Sequence, residues 1–290
     1  MNNLRASLMM VLAMAGFAIE DAMIKYLATR MPAGQVMILL GLGGVGIFWV
    51  LAARKGVRLW TPDALRGAAL LRNLGEMIAA ALMVTAITLV PLSVVTAILQ
   101  AMPLLVTMGA ALVLGERVGW RRWVAIGLGF VGMILILRPG AADFDPAALF
   151  AVGAVLALTL RDLATRRLPP GMPSVKVSGW GFATVLPGGA LLLLVAGRAP
   201  VPVQGIDALG LVLTVVCAVA AYAALVQATR LGDIAATTPF RYTRLVFAMA
   251  IGVAVFGEWP DGLTLAGSAL IVGAGLYTLW RETLRARMTR

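Results

Sequence analysis

Apolar residues run along this chain in long stretches, and polar residues are largely confined to the short gaps between them. Ten stretches meet or approach the roughly 20 residues that cross a hydrocarbon core of about 30 Å as a helix. They are 6–28, 33–53, 67–89, 92–114, 121–137, 146–163, 174–196, 208–229, 234–256 and 263–280. The runs are long and unalternated, which excludes a membrane barrel of short strands. Some gaps barely turn the chain, as at Val90-Pro91 and Gly232-Asp233. The pattern predicts an all-α integral membrane protein of ten transmembrane helices.

The pattern also repeats. Residues 112–137 read LVLGERVGWRRWVAIGLGFVGMILIL, and 253–279 read VAVFGEWPDGLTLAGSALIVGAGLYTL, so Gly257-Glu258 follows Gly115-Glu116 by 142 residues. The first turn is basic (Arg117, Arg121, Arg122) and the second acidic (Glu258, Asp261). Asp21 to Lys25 is matched 141 residues later by Asp162 to Arg166, each an acid and a base at i,i+4. Matching turns of opposite charge are expected of two halves inserted upside down to each other. Five spans per half, an odd number, require that inversion. The predicted organisation is 1–138 as the first five-helix repeat, 139–147 as an external linker, and 148–290 as the second, inverted repeat with a basic tail. The spacing from Glu116 to Gly127 exceeds that from Glu258 to Gly267 by two residues, so the fifth and tenth helices need not pack alike.

Lys and Arg orient the spans. With the amino terminus inside, 17 basic residues fall on the cytoplasmic side: Arg5, Arg54, Lys55, Arg58, Arg66, Arg117, Arg121, Arg122, Arg161, Arg166, Arg167, Lys176, Arg230, Arg281, Arg285, Arg287 and Arg290. Four fall outside, Lys25, Arg30, Arg138 and Arg198, together with Asp143, Asp145, Asp207, Glu258 and Asp261. That bias gives both termini inside. The chain is 61% hydrophobic and 13% charged, with a mean hydropathy of +0.95, too apolar for a water-soluble domain. Its net charge of +11 is spread between spans rather than gathered in a patch, which argues against nucleic acid as a partner. No histidine is present, and Cys217 is the only cysteine, so catalytic triads, internal disulfides and His- or Cys-rich metal sites are excluded. Arg5 precedes the first apolar run without a clear cleavage site, so that run reads as a retained helix.

Two five-helix repeats, Gly-Glu at both fourth-to-fifth turns and Arg138-Pro139-Gly140 closing the first repeat resemble the EamA family of the drug/metabolite transporter superfamily. The resemblance covers essentially the whole chain, and within the family it points to bacterial aromatic and amino-acid exporters of the YddG type. It implies ten helices around a central cavity and movement of small metabolites across the bacterial inner membrane. It does not name a substrate, because these motifs mark turns and fold.

Charges inside spans are costly unless paired or wet, so each is a functional candidate. Arg72 and Glu76 stand at i,i+4 on the third span, where Arg72 could hold a substrate carboxylate and Glu76 an ammonium or a proton. A structural salt bridge, or snorkelling by Arg72, is the plainer reading. Arg241 and Arg244 flank Tyr242 one turn after Pro239, and broken helices are where transporter sites lie. Pairing with Glu20 or Glu76 is the alternative for them. The 142-residue offset matches Tyr242 to Gln100, so both could border the substrate path; an interhelical hydrogen bond is the plain reading for Gln100. Asp21 is expected to pair with Lys25 and Asp162 with Arg166. Glu20 has no evident local partner, so it is either a proton carrier or the counter-ion of an arginine. Trp180, Phe17 and Tyr222 lie inside their spans and could stack on an aromatic substrate, though packing serves equally. Trp49, Trp60, Trp120, Trp123, Trp259 and Trp280 sit near span ends as interface anchors.

Taken together, these residues predict a monomeric secondary transporter without cofactor or metal. It would export amino acids, aromatic or other neutral ones, by alternating access. The alternatives are proton-coupled uptake of another metabolite or a nucleoside-type solute and, in a different class, a membrane-embedded enzyme. The scattered acids and the lack of histidine disfavour the enzyme.

Overall fold

The computed structural model describes residues 3–116, 118–142, 144–169, 171–231 and 237–288, with the backbone alone for 229, 230 and 282–288. Arg117, Asp143, Arg290, the Gly232-Asp233 link and the predicted start of the ninth span at 234 lie outside the described residues, as do the side chains of Arg230, Arg285 and Arg287.

Among the described residues, ten helical spans are long and apolar enough to cross a membrane. The helices are α1 (Asn3–Ala28), α2 (Ala33–Arg54), α3 (Gly67–Leu89), α4 (Leu92–Leu99), α5 (Met102–Val113), α6 (Trp120–Leu137), α7 (Ala148–Thr165), α8 (Ser174–Ala196), α9 (Gly205–Leu231), α10 (Thr243–Phe256) and α11 (Gly262–Met288). Two 3-10 turns, Pro62–Leu65 and Thr238–Tyr242, precede α3 and α10. The third and seventh spans have the predicted bounds. The fourth is broken into α4 and α5 at Gln100-Ala101, just ahead of Pro103, whose ring cannot supply an N–H to the preceding turn. The ninth changes from 3-10 to α at Tyr242. These two breaks lie at positions related by the 142-residue offset.

The Gly-Glu pairs have a common geometry. Gly115 and Gly257 end their helices at φ of 72° and 67°, where a side chain would be strained. The next residue then folds its N–H back across the last turn, Glu116 to the Ala110 carbonyl at 3.1 Å and Glu258 to that of Gly252 at 2.9 Å. The turn delivers the Glu258 carboxylate to the start of α4, where Oε2 accepts the Leu92 N–H at 2.7 Å. That N–H belongs to the first turn of α4 and has no partner within its own helix.

The chain divides into two compact units, and neither is a sequence repeat. The first comprises 1–22, 90–149 and 217–290. In it α6 packs on α11, and α4 on α10. Gly132 and Gly267 let the α6 and α11 backbones meet: a Cβ on Gly132 would come within 2.7 Å of the Gly267 carbonyl. Leu104, Ala125, Ile126 and Ala274 fill the core beside this crossing. Gly16 of α1 lies against Ala221 of α9, and Met10, Met14, Ala13 and Ala228 pack alongside. Asp261 caps α11 by accepting the Thr264 N–H at 2.7 Å, and it also pairs with Arg138, which ends α6 in the left-handed region. The hydrogen bond from Arg138, helped by the Thr264 N–H, holds the Asp261 carboxyl below the usual aspartate range.

The second unit comprises 23–89 and 150–216. Here α2 packs on α8, with Gly34 and Gly189 back to back, and α3 lies on α8. Gly75 of α3 sits against the Ala157 carbonyl and Arg161 backbone of α7. Lys176 reaches Asp63 at 3.0 Å, and that hydrogen bond lowers the Asp63 carboxyl. Repeat-related helices thus pack on one another: the second span on the seventh, the fourth on the ninth, the fifth on the tenth. The first-on-eighth crossing at Gly16 has its counterpart in the sixth-on-third crossing at Gly75, since an offset of 141 carries 16 to 157 and 75 to 216.

Candidate transport site

In the first unit, the two helix breaks are joined. The Gln100 side-chain amide donates to the Tyr242 carbonyl at 3.2 Å. That carbonyl lies at the junction between the 3-10 turn and α10, where the i to i+4 ladder is interrupted and an acceptor becomes available. Tyr242 itself is buried, its ring laid over Gly275 of α11 so closely that no Cβ would fit. Its hydroxyl has no hydrogen-bond partner among the described residues.

One turn beyond the Gly16 crossing, α1 carries Phe17, Glu20 and Asp21. Asp21 is 4% exposed and accepts from Arg244 of α10, Nη2 at 2.6 Å and Nε at 3.2 Å. The Arg244 guanidinium stands 5.2 Å from the centre of the Phe17 ring. Asp21 was expected to pair with Lys25, but its ion pair runs to an arginine 223 residues away. A one-turn spacing makes a lysine available, whereas the buried carboxylate takes the guanidinium fork that faces it. Arg241 does not share this environment. It lies in the 3-10 turn and is exposed, while Arg244, in α10, is half-buried. Glu20 is half-buried, and no hydrogen bond or ion pair reaches its carboxylate among the described residues; it lies within electrostatic range of Asp21, Arg244 and Cys217.

The second unit carries a closed network. Arg72 Nη2 donates to Glu76 Oε2 at 2.9 Å, Arg161 Nη1 lies 3.3 Å from Glu76 Oε1, and Arg161 Nη2 is 2.8 Å from Asp162. Two arginines and two acids leave no net charge. Arg72 also donates to Asn73 at 3.1 Å, and its guanidinium fills the space a Cβ on Gly181 would need. Arg161, counted with the cytoplasmic topology charges, therefore joins a buried network; Asp162 pairs with it, where Arg166 was expected. Trp180 is 2% exposed, its indole N–H donating to the Leu59 carbonyl at 2.7 Å, with Lys176 5.0 Å from its ring centre. It serves as a core anchor of this unit.

The repeat makes the comparison informative. The 141-residue offset that relates Asp21 to Asp162 sets Glu20 against Arg161 and Cys217 against Glu76. In the second unit a base on one helix meets an acid on the next. In the first, the corresponding residues are an acid on α1 and a cysteine on α9, within electrostatic range of each other. The same place in the fold is thus neutralised once and left with an uncompensated carboxylate once. This signal was available in the sequence through the offset. Arg161 was missed because its position near a span end reads as topology. No group of three or more metal-ligating His, Cys, Asp or Glu occurs among the described residues.

The EamA-like transporter family profile matches residues 4–138 and 145–280, one copy on each repeat. The chain belongs to this family. It is a multi-pass membrane protein and a secondary transporter of small metabolites, not an enzyme. An S-adenosylmethionine uptake transporter of Rickettsia prowazekii (strain Madrid E) is 24% identical over 283 residues, 94% of this chain and 91% of the relative. A riboflavin transporter of Vibrio cholerae serotype O1 is 30% identical over 292 residues, 99% of this chain and 97% of the relative. A solved crystal structure shares the fold, with a TM-score of 0.64 at 21% identity over 96% of this chain and 98% of that one.

Proposed function

We propose that this EamA transporter carries a small metabolite with a zwitterionic end and an aromatic or heteroaromatic body, held in the first unit. Aromatic amino acids, the substrates expected of a YddG-type exporter, belong to this class. So does S-adenosylmethionine, which joins an amino acid to a nucleoside and is named in the Rickettsia relative. The observation that carries the proposal is the Asp21–Arg244 pair beside Phe17 and an uncompensated Glu20. A substrate carboxylate replaces Asp21 as the partner of Arg244 and satisfies the guanidinium through two parallel hydrogen bonds. The released Asp21, together with Glu20, receives the ammonium or sulfonium. Phe17 offers a face to the ring, and the Tyr242 hydroxyl, buried without a partner, offers a donor or an acceptor. A zwitterion brings no net charge, so the exchange adds none to the site, and each charge of the substrate meets an opposite one. Glu20 is also the proton carrier in this scheme when flux is coupled to a pH gradient.

A second reading follows from the Vibrio relative: a flavin-type solute, which has no α-carboxylate and would use Phe17, Gln100 and Tyr242 rather than Arg244. Counterflow in proteoliposomes with labelled S-adenosylmethionine, tryptophan and riboflavin, each with and without a pH gradient, separates the two. Arg244→Lys keeps the charge and loses the fork, so exchange of a carboxylate substrate should fall at least about tenfold, equivalent to about 1.4 kcal/mol. Normal exchange by a folded Arg244→Lys protein, or saturable flux of riboflavin alone, would overturn the zwitterion reading. Indifference of wild-type flux to the pH gradient would remove the proton from Glu20.

A further inference from the structure

A concavity lies well apart in sequence from the residues above. The hollow, of about 290 Å³, is lined by Gly119, Trp120, Arg121, Arg122 and Arg281. The first four open α6, and Arg281 comes from the far end of α11, all within the first unit. The distribution of Lys and Arg puts these ends on the cytoplasmic side. Three arginines from two helices therefore line one cavity, and the described residues that line it include no carboxylate. Gly119 supplies no side chain to cap the first turn of α6, so that turn adds the positive end of an 18-residue helix. Arg121 lies 5.3 Å from the ring centre of Trp120, which is 70% exposed; the pair combines a cation with an aromatic that sits at headgroup depth.

Charges needed only to orient spans have no reason to converge on a hollow from positions 159 residues apart. Guanidiniums match the paired oxygens of a phosphate, and the volume holds about ten water-sized groups, enough for a glycerophosphate headgroup. We propose that this hollow is a binding site for the phosphate of an anionic phospholipid in the cytoplasmic leaflet. Lipid is favoured over a soluble phosphate because Trp120, with Trp123 beside it, sets the cavity at the membrane interface. The acyl chains would then lie along the exposed apolar side of α6, where Val124, Leu128 and Val131 face outward.

The test uses the full-length protein, reconstituted in phosphatidylcholine nanodiscs, and reads the thermal unfolding midpoint. Phosphatidylglycerol should raise the midpoint of the wild type by several degrees, and added salt should shrink that shift. Extra phosphatidylcholine, or inorganic phosphate at the same concentration, should do neither. The Arg121→Gln/Arg281→Gln protein should match the wild type in phosphatidylcholine and lose the phosphatidylglycerol shift. If the double variant does not fold, Arg121→Gln alone answers, because Arg121 is exposed and its apparent lipid affinity should drop at least severalfold. A phosphatidylglycerol shift that survives the substitutions overturns the site. A shift given equally by inorganic phosphate and lost in the variant means a soluble phosphate ligand, and overturns the lipid.

Discussion

Glu20→Gln and Glu76→Gln should behave as opposites, although both remove one carboxylate from a membrane span. Glu76 accepts from Arg72 at 2.9 Å and lies 3.3 Å from Arg161. Without its charge, the buried guanidinium of Arg72 and the half-buried one of Arg161 lose the carboxylate that lies between them. Breaking a buried pair in this way costs about 3–5 kcal/mol. The Glu76 and Arg161 side chains retain 19% and 23% exposure, so solvent screens part of the loss and the lower figure, about 3 kcal/mol, is expected. That is roughly a hundredfold in the unfolding equilibrium. Glu20 has no such partner, so Glu20→Gln leaves no cation stranded and should change stability by no more than about 0.5 kcal/mol. Unfolding by dodecyl sulfate in mixed micelles, followed by tryptophan fluorescence, measures both. Counterflow measures what stability does not: folded Glu76→Gln protein should exchange substrate with unchanged apparent affinity, whereas Glu20→Gln should not. Equal destabilisation by the two substitutions, or a larger loss at Glu20, would refute the assignment of one carboxylate to structure and the other to transport.

Two further outcomes are expected. Glu258→Ala should destabilise the fold by about 1–2 kcal/mol in the same unfolding assay, because the first turn of α4 loses its acceptor; Glu258→Gln, which keeps an oxygen in place, should lose less than half as much. Asp261 has a lowered folded-state pKa, so its contribution is present above its unfolded value of about 3.9 and lost as pH falls through the folded value below that. Wild type should therefore weaken below about pH 4 by a step that Asp261→Asn lacks, measured as the unfolding midpoint against external pH.

Most of the secondary structure was readable because hydropathy is a local signal: α3 and α8 begin and end where their apolar runs do. The break in the fourth span was not read. Pro103 announces it, but an apolar run continues through Gln100 and Ala101, and hydropathy does not register a lost hydrogen bond. The ion pairs were misassigned for a different reason. A spacing of i,i+4 shows which residues can meet on one helix, and it cannot show what a neighbouring helix brings. Asp21 meets Arg244 because α10 packs beside α1, where Phe247 and Phe17 lie against the Met10, Ala13 and Met14 cluster, a contact between distant helices that no spacing on α1 reveals. Among the misassigned residues Arg161 had a readable clue, since the offset that pairs Asp21 with Asp162 places it against Glu20.

The interleaving of the two repeats has a consequence for how the molecule comes into being. The second unit ends at Val216, so every helix segment it needs has been synthesised before the last quarter of the chain is translated. The first unit begins at the amino terminus yet cannot close until α10 and α11 arrive. Between the end of α6 at Leu137 and the start of α11 at Gly262 lie about 125 residues, roughly 6–25 s of synthesis at 5–20 residues per second. Throughout that wait the Gly132 face of α6 meets lipid or the insertion machinery in place of Gly267, and the first N–H of α4 has no Glu258. The half of the protein that holds the proposed transport site is thus begun first and finished last.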